Sequence, residues 1–227
     1  RRVVRATTND IKEVSEAVDR ALQNLSSVAD AIGHIQTVEG WPLYVLTFPL
    51  ANRTFVYNLK SGAWQEWGQW NASQGVYQRF RGRSYCFATK LNLHLWGDQS
   101  NGIVYKMNRS TYDDGGAAIR SVRRTGFITH GTLNLKRCKR IRLRLKRGVA
   151  TDAVPSPTMQ VRWREQGGTW GNTHSLNVSL GAVGQHDLIA ELRLCGSYRA
   201  RQYEFIHSDA TDWILMGGEE DIEVATR

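Results

Sequence analysis

The run GWPLYVLTFPLANRTFVYNLKSGAWQEWG, Gly40 to Gly68, constrains what this chain can fold into more than any other segment. Leu43–Phe48, Thr54–Asn58 and Ala63–Trp67 are short blocks of β-branched and aromatic residues, each bounded by turn formers. Pro49 closes the first block, because a proline cannot donate a hydrogen bond in the middle of a sheet. Lys60-Ser61-Gly62 supplies the turn into the third block. The segment therefore predicts three consecutive antiparallel strands.

Tyr57-x-Leu59-x-x-Gly62-x-Trp64-x-x-Trp67 is how a propeller blade commonly turns into its outer strand. Residues 29–38 offer the fourth strand that such a blade needs. A second set follows at Gly75–Phe80, Ser84–Thr89, Leu93–Trp96 and Ile103–Met107, with turns at 81–83, 90–92 and 98–102. Two blades do not close a ring, and the chain starts at Arg1 rather than Met, so a longer protein is expected. Ahead of the blades, Ile11, Val14, Val18, Ala21, Leu25 and Val28 recur at spacings of three and four. With Asp10 and Glu13 as a capping pair, they predict a helix over Asn9–Val28.

Tyr112–Gly116 breaks the pattern, and from Ile119 seven strands follow with no helix between them. Their approximate positions are 119–129, 135–146, 158–165, 172–179, 187–193, 198–207 and 212–225, the spacing of a β-sandwich. Gly167-Gly168 is expected to give positive φ to a hairpin between Trp163 and Trp170. The fold expected is thus mainly β: one helix within 1–28, two β-propeller blades over 29–114, and a β-sandwich with a basic strand over 115–227.

Charge is distributed unevenly. Gly115–Thr151 holds eleven Lys or Arg and no Asp or Glu, so it carries +11 and leaves −2 for the rest of a chain whose net charge is +9. A block like this is the usual footprint of a polyanion partner. Strict alternation in Lys139-Arg-Ile-Arg-Leu-Arg-Leu-Lys-Arg147 places Ile141, Leu143 and Leu145 on one face and Arg140, Arg142, Arg144 and Lys146 on the other. Such a strand suits a solvated surface or a protein interface as well as nucleic acid. No aromatics interleave on its outer face, which weakens a single-strand stacking role.

Little in the chain resembles a reaction centre. The histidines (34, 94, 130, 174, 186 and 207) lack metal-pair spacing, and Cys86, Cys138 and Cys195 form no disulfide framework and suit a reducing compartment. No nucleophile elbow, phosphate-binding loop or dinucleotide fingerprint is present. Glu219-Glu-Asp221 is expected to open a final strand, with Ile222 and Val224 inward and Asp221 and Glu223 outward, offsetting the basic row. Neither an enzyme nor a cofactor is expected. No apolar run reaches the roughly 20 residues of a membrane span.

Several segments together resemble the tail hub, or nozzle, proteins of short-tailed bacteriophages, also called packaged-DNA stabilisation proteins. They are Ser27-Val-Ala-Asp-Ala31, Glu39-Gly-Trp-Pro-Leu-Tyr-Val-Leu-Thr-Phe-Pro49, Thr54-Phe-Val-Tyr-Asn58, Gly62-Ala-Trp-Gln-Glu66 and Ser197-Tyr-Arg-Ala-Arg-Gln-Tyr-Glu-Phe205 with Ser208-Asp209. Trp41, Leu43, Phe55, Asn58 and Gln65 stand where that family has His, Phe, Trp, Asp and His.

The resemblance implies a structural virion protein of the tail, assembled in the bacterial cytoplasm as a homo-hexameric ring. Portal and adaptor rings would lie above it, a needle or plug protein at its tip, and packaged double-stranded DNA would pass through it. A strongly basic lumen would brake DNA exit in a salt-dependent way. Lys139, Arg140, Arg142, Arg144, Lys146 and Arg147 are therefore expected at a protein interface. Two other classes stay open. One is a glycan-binding module using some of the eight tryptophans, although Trp64, Trp67, Trp163 and Trp170 occupy positions that normally pack. The other is a DNA-binding β-domain.

Overall fold

A computed structural model describes residues 1–108, 110–166, 168–170, 175–187, 189–193 and 195–225. The chain is mainly β, with several antiparallel sheets and one short helix among the described residues. It divides into two compact units, Arg1–Arg109 and Ser110–Arg227.

The first unit opens with a hairpin of β1 (Val4–Ala6) and β2 (Ile11–Glu13), then a 3-10 turn at Glu16–Val18 and helix α1 at Asp19–Gln23. The long helix expected over Asn9–Val28 is therefore corrected to a hairpin and a single helical turn. Asp10 does not cap: its carbonyl accepts from Thr7 N at 2.7 Å to close the hairpin turn, and Glu13 pairs with Arg2 at 2.9 Å. Ile11 stays 70% exposed; of the apolar repeat only Leu25 is buried in the core, beside Leu22 from outside the repeat, with Val18 and Ala21 packed against them.

The next strands are β3 (Ile32–Val38), β4 (Trp41–Phe48), β5 (Arg53–Asn58), β6 (Trp64–Asn71) and β7 (Val76–Arg79), a five-stranded meander in sequence order. Glu39 and Gly40 both take positive φ in the β3–β4 turn, the geometry of a tight hairpin. Asn58 Oδ1 accepts from the backbone N of Lys60 and Ser61, fixing the β5–β6 turn.

Strand β4 is buried on both faces, which is why it reads as an unbroken apolar run. Leu46 and Phe48 pack with Phe55, Leu22 and Leu25, while Leu43 and Val45 pack with Val56 and Trp96.

A separate sheet holds β8 (Gly82–Ala88), β9 (Leu93–Asp98) and β10 (Val104–Met107). The expected four-plus-four division is thus five plus three. Residues 75–80 belong to the first sheet because Asn71–Gly75 closes a tight hairpin and Trp70 faces Tyr77 across it, 4.8 Å between rings. Gly82 marks the departure, since a Cβ there would meet Trp96 at 2.4 Å and Phe80 at 2.7 Å.

The second unit starts with a small hairpin of β11 (Asp113–Asp114) and β12 (Ala117–Ala118). Then come β13 (Ser121–Arg124), β14 (Lys136–Leu145), β15 (Thr158–Glu165), β16 (Ser175–Ser179), β17 (Ile189–Arg193), β18 (Ser197–Tyr198), β19 (Arg201–His207) and β20 (Leu215–Val224).

These eight form two antiparallel sheets. One has the order β13-β19-β15-β16; in the other, β14 has β17 and β18 along one side and β20 along the opposite side. Ile141, Leu143, Leu145 and Leu192 from one sheet meet Met159, Val161, Trp163 and Phe205 from the other in a single apolar core, a sandwich-like arrangement. Each fully buried aliphatic side chain stabilises by about 1.5–3 kcal/mol, so the apolar face of β14 alone holds the sheets together strongly.

The expected strand at 119–129 is shorter, but Thr125 N and Ile128 N still bond the carbonyls of Tyr203 and Arg201 at 3.0 and 2.8 Å. Residues 172–174 and Leu188 of two expected strands, and Gly167 and His174, lie outside the described residues. Positive φ near the Trp163–Trp170 turn falls on Gln166, at 47°, rather than on Gly168.

Candidate functional site

The basic strand alternates as its sequence dictates: Ile141, Leu143 and Leu145 are buried, while Lys139, Arg140, Arg142 and Arg144 line the outer face or its margin. The sheet then supplies partners that the local sequence lacks. Antiparallel pairing sets Arg140 opposite Asp221 and Arg142 opposite Glu219 on β20, and Arg142 opposite Glu191 on β17. Arg140 Nε donates to Asp221 Oδ2 at 3.0 Å, and Arg140 and Arg142 approach Glu191 Oε2 at 3.8 and 3.6 Å.

Lys139 pairs with Glu223, Lys146 with Asp212 and Arg147 with Asp187. Arg144, between Gly217 and Ile189, has no ion-pair partner among the described residues. The arginines hold Glu191 below the usual carboxylate range, chiefly through the hydrogen bond from Arg193, with Arg140 and Arg142 adding to it. Of the six residues singled out from sequence, four lie on β14 and Lys146 and Arg147 directly follow it, and five of the six sit beside carboxylates of the same sheet or its flanking loops.

Glu220 points the other way, into the sandwich. It accepts from the Tyr198 and Tyr203 hydroxyls and lies 2.5 Å from His130 Nε2. Burial, reinforced by this carboxylate, pushes both phenols well above their ordinary range. Arg201, 0% exposed, donates from Nη2 to Glu165 Oε1 at 2.6 Å, and its guanidinium lies 4.0 Å from the Tyr198 ring centre. Lys136, part of the basic block, faces inward and donates to the carbonyls of Thr132 and Asn134 at 2.7 and 2.8 Å. Carboxylates thus meet Arg201 and the two tyrosines, and carbonyls meet Lys136, while Arg201 Nε has no hydrogen-bond partner among the described residues. A cavity of about 230 Å³ opens between β13 and β20, walled by Ile128, Leu143, Phe205 and Leu215 beside Glu220.

The outer face of the other sheet carries a group that the sequence does not announce. Arg124 on β13 and Arg162 on β15 both donate through Nε to Glu204 on β19, which lies between them with its side chain 0% exposed. Arg164, next along β15, donates Nε to Gln202 Oε1 at 2.8 Å and Nη1 to Gly168 O at 3.2 Å. All three guanidinium groups surround the Trp170 indole, with their carbons 5.4, 5.6 and 4.9 Å from its centre. Of the tryptophans expected to pack as core, Trp163 does so, whereas Trp170 is half-buried against arginines. The signal lay in one arginine on β13, two on β15 and a glutamate on β19, 42 residues from Arg162 and 80 from Arg124, which no local pattern links.

Three further histidines have packing roles. His34 lies against Tyr85 and Trp96, where burial lowers its pKa, His94 bonds Tyr85 through Nδ1 at 2.9 Å, and His207 bonds Thr158 O at 3.0 Å. Among the described residues no His, Cys, Asp and Glu side chains gather as a metal site, and no helix is long and apolar enough to cross a membrane. No protein-family profile matches this chain, and no curated protein matches it significantly.

Proposed function

We infer that the chain is a structural virion protein, a subunit of a tail hub ring through which packaged double-stranded DNA leaves a short-tailed phage. One observation carries the reading. The residues of 39–66 that resemble that family form β4, β5, the start of β6 and their turns, with Leu43, Val45, Leu46, Phe48, Phe55 and Val56 in the core. The likeness thus lies at scaffold positions and not at a reaction centre, which favours a structural role.

The carboxylates of 219–221 support the same reading. Asp221 is engaged by Arg140 and Glu220 by two tyrosines, so they act as structural partners rather than as an acid–base pair. In this reading the face of β14 with β17 and β20 abuts a neighbouring subunit. Its balanced charges set register without adding net repulsion, and the exposed Arg144 is available to the neighbour. Six copies form the ring, with portal and adaptor above and a plug at the tip.

Native mass spectrometry and negative-stain microscopy of the purified protein test this. Rings of six are expected, weakened by Arg140→Glu with Arg142→Glu. A protein that stays monomeric at high concentration overturns the hub assignment, and rings indifferent to that double substitution remove the β14 face from the contact.

A further inference from the structure

We propose that the outer face of the β13-β19-β15-β16 sheet binds a phosphate group, with Arg124, Arg162 and Arg164 as its ligands beside Trp170. The proposal stands independently of the hub assignment.

Three fixed positive charges meet one carboxylate, which leaves a local surplus of +2 around a single indole ring. Glu204 takes only the Nε donors of Arg124 and Arg162, and Arg164 uses Nε on Gln202 and Nη1 on the Gly168 carbonyl. Register puts the three arginines on one face of the sheet, and the terminal nitrogens of Arg124 and Arg162, with Nη2 of Arg164, make no hydrogen bond among the described residues. Arginine forks with such donors suit oxyanions.

Carboxylate and phosphate can be distinguished on this geometry. A carboxylate has two oxygens and one charge, enough for two of the forks. A phosphate monoester carries between about −1.5 and −2 with three terminal oxygens, matching both the surplus and the number of guanidinium groups.

The site is also built before any ligand arrives. Glu204, fully buried, holds Arg124 and Arg162 side by side, and the indole supports all three cations. Arg124 remains 55% exposed in its side chain, so a ligand from solvent can reach the group. The other residues on this face, including Gln160, Ser175 and Asn177, are uncharged.

Calorimetric titration of the whole protein at fixed ionic strength tests the assignment with three probes: inorganic phosphate, a short oligonucleotide bearing a 5′-phosphate, and the same oligonucleotide without it. Phosphate is expected to bind. Arg124→Gln with Arg164→Gln, which spares the buried Arg162–Glu204 pair, should weaken it by about ten-fold or more. Glu204→Gln should strengthen it, because removing the one competing carboxylate raises the surplus; a merely structural role would not produce this gain.

Preference for the 5′-phosphorylated strand assigns the group to a nucleic-acid end. Binding of free phosphate with indifference to both strands assigns it to a small phosphate. Undiminished phosphate binding by a folded double variant, no binding of any probe, or tighter binding of polyglutamate than of phosphate overturns the proposal.

Discussion

On the β14 face of the sandwich, Arg140 and Arg142 stand beside Asp221 and Glu191, carboxylates drawn from both neighbouring strands, whereas on the opposite face Arg124 and Arg162 share Glu204 and Arg164 bonds only uncharged groups. The first group comes from the densest run of positive charge in the chain, the second from scattered residues. Carboxylates of the sheet and its flanking loops nevertheless meet all but Arg144 of the dense run's singled-out cations, while the sparse group has one carboxylate for three cations. What a strand presents to a partner is set by its neighbours in the sheet, and those are fixed by topology, not by proximity in sequence.

The contrast is sharpest for the carboxylates. Glu204→Leu strands two guanidinium groups around a buried position and is expected to lower stability by about 3–5 kcal/mol in denaturant titration. Trp170→Ala, which removes the ring beneath three cations, should cost about 1–2 kcal/mol. Asp221→Asn on the β14 face exposes an already hydrated ladder and should cost less than about 1 kcal/mol, a difference that fades in high salt. Equal costs for the Glu204 and Asp221 variants would erase the distinction between the faces.

The smallest effect is a pH dependence. Glu191 is held below its ordinary pKa in the folded protein. Its contribution is therefore present above the unfolded carboxylate range and is lost as pH falls through the lower folded value. Unfolding curves of the protein and of Glu191→Gln should differ at neutral pH and converge on acidification. A gap that persists or widens on acidification would contradict the ladder's role.

How much of this was legible follows from the range over which each feature is encoded. The meander β4–β6 is written in local apolar and aromatic runs bounded by turn formers, and the inward face of β14 in a period-two pattern, which a one-residue slip would invert. The acidic strand facing β14 was also readable as an alternating segment, with Ile222 half-buried, although Val224 remains exposed. The helix over 9–28 misled because spacings of three and four carry no information about burial, and Ile11 belongs to a hairpin. Residues 75–80 changed sheets through the Asn71–Gly75 turn. Lys136 looked like surface charge, but its register opposite Tyr198 turns it inward. Arg124 and Glu204 are eighty residues apart, so their meeting depends on the whole sandwich topology.

The central claim is that carboxylates of its own sheet and flanking loops stand beside five of the six cations in the conspicuous basic run, so that the strand is not expected to act as a polyanion-binding surface. The most direct test is the salt dependence of duplex-DNA binding by the intact protein and by Arg140→Gln, Arg142→Gln, Arg144→Gln combined. The prediction is that the triple variant leaves the slope of log affinity against log salt unchanged, while Arg124→Gln with Arg164→Gln reduces it. A slope in the triple variant shallower by roughly 0.9 per arginine would mean that the strand contacts phosphates directly, and would contradict the account.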